Sequence, residues 1–138
     1  MRMFRILFVL FLLSFGQSFS NELINYDLKI ESFNIEKRIV NEFDNPINIK
    51  IKLNKIIPRD QNILVSFKGT AKEDVDFNIS SKNILVKKGS SSFSINLEPI
   101  KDLIYEDNRY VDIILKNEFG ELIDKNFHDT KIIIEDGL

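Results

Sequence analysis

The sequence contains no cysteine and only one histidine, His128. The first shortage excludes disulfides, thiol catalysis and thiolate metal sites. The second leaves any zinc site to carboxylates and water. Tryptophan is missing too, while phenylalanine is plentiful at 12 residues, a balance that suits a packed core better than a carbohydrate-stacking platform. The glycines are scattered, so no glycine-rich loop offers a phosphate cradle. Positive charge is not in excess. The net charge of −2 argues against nucleic acid or an anionic bilayer as partner. A chain of 138 residues suffices for one core rather than two, and without disulfides that core must hold by packing alone.

What is present begins with "MRMFRILFVLFLLSFGQSFS". Arg2 and Arg5 precede an unbroken apolar run from Ile6 to Leu13, and Ser18 and Ser20 are small residues suited to cleavage after Ser20. This is the layout of a secretory signal peptide. The run is too short for a membrane span, which takes roughly 20 apolar residues. Residues 1–20 are therefore expected to be a leader and 21–138 the exported domain, periplasmic or extracellular, with no transmembrane segment. No cysteine follows the leader, so lipid anchoring on cysteine is excluded.

Beyond the leader helical periodicity is scarce and period-two alternation dominates. "INIKIKL" (47–53) puts Ile47, Ile49, Ile51 and Leu53 on one face and Asn48, Lys50 and Lys52 on the other. "NILVSFK" (62–68), "SFSINL" (92–97) and "RYVDIILK" (109–116) alternate likewise, and "KIIIED" (131–136) reads as a last strand. Such alternation marks half-buried antiparallel strands. Residues 54–61 have turn composition around Pro58, residues 87–92 read as a tight hairpin at Gly89, and 117–130 form a longer connection. About seven short strands without crossover helices predict an all-β sandwich.

Four stretches resemble the Calx-beta domain, an immunoglobulin-like Greek-key sandwich. "GTAKEDVDF" (69–77) is similar to the family's Gly-Thr-Ala-x-x-Gly-x-Asp-Phe/Tyr signature. "NILVKKG" (83–89), "FSINLEPIKDLIYEDNRYVDIILKN" (93–117) and "KIIIEDG" (131–137) follow in the family's order. Asp74 stands where the family usually has glycine. If that position needs a left-handed backbone, aspartate tolerates it better than most residues. Gly69 suits a turn that a side chain would obstruct, Asp76 suits local amide bonding, and Phe77 suits a core plug. Ile104 and Tyr105 read as a buried pair, with the tyrosine ring inside and its hydroxyl at the rim.

The resemblance implies calcium ligands at one end of the sandwich. Asp102, Glu106, Glu135 and Asp136 keep acids there, and Glu31 is the candidate acid of the entry strand. Lys68, Lys101 and Arg109 fall where the family has acids, and Gly137 removes one carboxylate of the terminal cluster. Each basic replacement deletes a ligand and adds a repelling charge. The apex is therefore expected to be tied by ion pairs between these cations and the remaining acids. One weakly bound calcium is the alternative. No other cofactor is expected.

His128 has Asp129 beside it, but no nucleophile stands at a recognisable spacing, so no catalytic residues are assigned. The expected function is a non-enzymatic binding or interaction module with a protein or cell-envelope partner. Two alternatives stand beside it. One is a calcium-binding module acting in adhesion or stabilised by the ion. The other is a small periplasmic enzyme or inhibitor working through its loops, which a pocket gathering His128 with two carboxylates would favour.

Overall fold

A computed structural model describes residues 28–137. The expected leader, residues 1–20, lies outside them. Nine strands form: β1 (Ile30–Ile35), β2 (Ile39–Asn41), β3 (Ile47–Leu53), β4 (Gln61–Gly69), β5 (Phe77–Ile79), β6 (Asn83–Val86), β7 (Ser92–Pro99), β8 (Arg109–Lys116) and β9 (Lys131–Glu135). They build a four-stranded sheet, β1-β3-β7-β5, and a five-stranded sheet, β2-β9-β8-β4-β6. All pairings are antiparallel except that of β2 with β9. The fold is thus an all-β immunoglobulin-like sandwich.

Alternation decides which side chains enter the core. Ile47, Ile49, Ile51 and Leu53 of β3 are all buried, as are Val111, Ile113 and Leu115 of β8. They meet Ile95 and Leu97 of β7, Ile63 and Val65 of β4 and Ile132 and Ile134 of β9. The polar residues between them face outward, which spares the interior unpaired polar groups. Phe77 is fully buried, and its ring meets Phe67 edge-on at 5.0 Å. It plugs the core as expected. Phe127 of the 117–130 connection packs on Phe33, with ring centroids 6.0 Å apart, and so holds that loop against the sandwich.

Three expectations need correction. The strands number nine rather than about seven, because β2 and β5 have only three residues each, too few to show a period. Residues 87–92 are not a hairpin. Their flanking strands pair in different sheets, β6 with β4 and β7 with β3 and β5. The segment instead crosses between sheets beside the β3–β4 connection, where the Gly89 amide donates to the Ile57 carbonyl and the Ile57 amide to that of Ser90. Finally, Ile104 and Tyr105 are exposed at the tip of the β7–β8 loop and contribute nothing to the core.

Two backbone expectations hold. Asp74 has φ 66°, alone among the described non-glycine residues in the left-handed region. Gly69 has φ 133°, and a Cβ there would lie 2.4 Å from the Tyr110 carbonyl oxygen, so β4 can approach β8 this closely only without a side chain.

Candidate functional site

Four chain segments converge at one end of the sandwich: the β2–β3 turn, the β4–β5 turn, the β7–β8 loop and the residues after β9. Each is brought there by a strand ending at the same level. β8 begins at Arg109 opposite Ile134 of β9, β7 ends at Pro99 opposite Phe77, and the Glu42 amide donates to the Glu135 carbonyl at 3.0 Å. Polar side chains must then satisfy the loop amides that no sheet reaches.

Asp76 does this first. It is buried, and its Oδ2 accepts from the Lys72 amide at 2.7 Å, closing the β4–β5 turn. The same oxygen lies 3.4 Å from Arg109 Nη1, while Arg109 Nη2 lies 3.3 Å from Glu106 Oε1. One guanidinium thus joins two loops through two carboxylates. The geometry suits arginine, whose planar fork presents several donors at once. The Asp136 carboxylate accepts from the Glu106 amide, which ties the β7–β8 loop to the end of β9. Asp102 Oδ1 accepts from the Ile104 amide at 2.9 Å, a local turn that opens the loop tip.

Glu42 is the acid that sequence reasoning missed. It is only 7% exposed, and its Oε1 is buried with no hydrogen-bond partner. Burial pushes its pKa up, the Gly137 amide pulls it down, and the charges of Asp136 and Asp102 push it up again. Its nearness to the Asp136 carboxyl as a hydrogen-bonding neighbour pushes it the same way. Two residues on, Asp44 Oδ2 accepts from Lys37 Nζ at 2.7 Å and from the Asn41 amide at 2.8 Å. The Lys37 bond holds the Asp44 pKa below its ordinary value.

Of the expected ligands, then, Glu106, Glu135 and Asp136 line one cavity at this end, and Asp102 stands outside it in the β7–β8 loop. The cavity, of about 10 Å³, is also lined by Glu42, Asp76 and Arg109. That space holds about one water. Glu31 is elsewhere. It is the extra residue of a bulge between β1 and β3, 3.7 Å from Lys52 Nζ. The seven residues of β3, roughly 20 Å, separate it from the apex. Of the three expected cations, only Arg109 is in ion pairs among the described residues. Lys101 is exposed, and Lys68 lies opposite Asp112 on the outward face of β4. Gly137 has a steric reason: a Cβ there would sit 1.9 Å from the Phe43 ring. Among the described residues no three acidic or histidine side chains are grouped to hold a metal ion.

A groove of about 420 Å³ runs along β8 beneath the 117–130 connection, and its lining includes His128, Asp112 and Asp124. These three do not form a catalytic arrangement. His128 makes no hydrogen bond among the described residues. Asp124 accepts from the Ile30 and Asn126 amides, and Asp129 pairs with Arg38 at 2.9 Å.

A two-sheet sandwich with loops converging at one end is the architecture of immunoglobulin-like binding domains, and comparison with solved structures narrows it. The chain resembles CBD12, the calcium binding domain of CALX1.1, at 18% identity and a TM-score of 0.55, covering 79% of this chain and 44% of that one. It resembles the apo-form Calx CBD1 domain at 16% identity and a TM-score of 0.55, covering 80% of this chain and 96% of that one. A third similar structure is the periplasmic chaperone SfaE, at 11% identity and a TM-score of 0.51, covering 80% of this chain and 57% of that one. No family model and no curated protein matches the sequence. At these identities the likeness is one of fold: the chain has the Calx-beta fold, shared more distantly with chaperone domains. Among the described residues no helix is long and apolar enough to cross a membrane.

Proposed function

We propose that the chain is an exported, non-enzymatic binding module whose loop apex is held by Arg109 instead of calcium. It meets a protein or cell-envelope partner through its loops. The observation that carries this reading is the Arg109 guanidinium lying between Asp76 and Glu106. Calcium requires six to eight oxygens and no competing cation. At the apex one oxygen each of Asp76, Asp102, Glu106 and Asp136 is already committed to an amide or to Arg109. Export is supported by the leader-like residues 1–20 and by the periplasmic setting of SfaE. The non-enzymatic reading is supported by binding domains and a chaperone among the similar folds, and by the unlinked His128.

One observation favours a second reading, a single weakly held calcium at Glu42. Glu42 Oε1 is buried without a partner, and a cation would satisfy it. Isothermal titration of the exported form with calcium separates the two. The first reading expects no heat of binding tighter than the millimolar range. Tighter binding that disappears in Asp102→Asn establishes the second.

A further inference from the structure

Leu103, Ile104 and Tyr105 are exposed to 86%, 64% and 77%, three consecutive large apolar side chains at the tip of the β7–β8 loop. Phe43 and Val75, from the two neighbouring turns, are exposed at the same end. Exposed apolar side chains concentrated at one end of a fold favour an interaction site there. The tip is also pre-positioned. Asp102 caps its first turn, Asp136 holds the Glu106 amide, and Arg109 holds the Glu106 side chain. A loop pinned at both ends loses little entropy on docking and cannot fold back onto its own sheet. The acids Asp102, Glu106 and Asp107 bracket it, and against exposed Lys101 and the paired Arg109 they leave a slight acidic excess, which disfavours an anionic membrane and favours an apolar recess with a basic excess.

The molecule carries such a recess. The groove along β8 has an apolar floor of Ile114, Leu122 and Phe127 and a rim bearing Lys68, Lys125 and Lys131. Two acids also line it, Asp124, which accepts from backbone amides, and Asp112, which lies opposite Lys68 and Lys131, so the lysines keep an excess of one positive charge. We infer that the Leu103–Tyr105 tip of one copy docks into this groove of a second copy. The contact is heterologous, joining the end of one molecule to the flank of the next, so it propagates or closes into a ring instead of stopping at a symmetric dimer. This names a partner for the binding module proposed above and rests on that reading. The calcium titration tests the apex independently.

Sedimentation velocity of residues 21–138, which contain the whole sandwich, tests it over roughly 10 µM to 1 mM protein. The sedimentation coefficient is expected to rise with concentration. A tip variant, Leu103→Asp with Tyr105→Asp, and a groove variant, Leu122→Asp, should each weaken association at least about tenfold while melting like the parent. If Leu122→Asp lowers the melting temperature, Lys68→Glu at an exposed position replaces it. An equimolar mixture of tip and groove variants is the decisive sample. One still offers a tip and the other a groove, so dimers and nothing larger are expected. A parent that stays monomeric throughout, or association that survives the tip variant, overturns the inference. So does a monomeric parent that co-sediments with phosphatidylcholine vesicles, an outcome that assigns the tip to a lipid surface.

Discussion

The body of the sandwich and its loop apex are stabilised by different physics. In the body, apolar side chains from two sheets bury one another, and every second residue of β3 and β8 is inside. At the apex, charged groups do the joining: Arg109 spans Asp76 and Glu106, and Asp136 reaches the β7–β8 loop. The first arrangement is nearly indifferent to pH and salt. The second responds to salt, because the attraction between its charges is screened where water reaches them.

The largest effect should come from the body. Phe77 is fully buried where the two sheets meet the apex. Phe77→Ala should cost about 3–5 kcal/mol in urea unfolding, from lost transfer energy and the cavity left behind. At the apex, Arg109→Met strands the buried Asp76 carboxylate. Removing one partner of a wholly buried pair costs about 3–5 kcal/mol, but Arg109 is about a third exposed, so roughly 1–2 kcal/mol is expected. A loss in Arg109→Met as large as that in Phe77→Ala would erase the distinction between the two regions.

The smallest effect concerns Glu42, and its sign is the informative part. Its pKa is raised in the folded state, chiefly by burial, above an ordinary value of 4.5. Its contribution is therefore most favourable below that value and is lost as pH rises through the folded pKa. Glu42→Gln removes this dependence, so the variant should gain stability relative to the parent as pH rises from about 4.5 towards neutrality. Asp44 works in the opposite sense. Its lowered pKa contributes stability above its ordinary 3.8 that is lost on further acidification. Melting curves of parent and Glu42→Gln across this range check the first, and parent against Asp44→Asn on acidification below about pH 4 checks the second. A parent and variant with parallel profiles would mean that Glu42 is not titrating in a buried site.

The body was legible in the sequence because strands of seven or eight residues show their period. β3, β7 and β8 fall where the alternation places them. β2 and β5 were not, since three residues carry no pattern. The crossing at 87–92 resembles a hairpin because Gly89 has the positive φ of one, 88°, yet which sheet a strand joins depends on partners far along the chain. The apex was legible only in part. Arg109 stood out as a cation among acids. Glu42, in the polar turn "NEFDN", shows no period, and the resemblance points to Glu31 instead. Only the β2–β9 pairing, a contact across most of the chain, brings Glu42 to the site. Tyr105 was misplaced because hydrophobic character does not by itself require burial.

Whether the apex is held by Arg109 or by calcium can be read most directly from a thermal melt of residues 21–138 in about 1 mM calcium and again in chelator. A calcium site with a dissociation constant near 10 µM would add about 2.7 kcal/mol under those conditions, about 10 °C or more for a domain of this size. An apex closed by Arg109 predicts two curves that agree to within about 1 °C. A calcium-dependent rise of several degrees, abolished in Asp102→Asn, would contradict it.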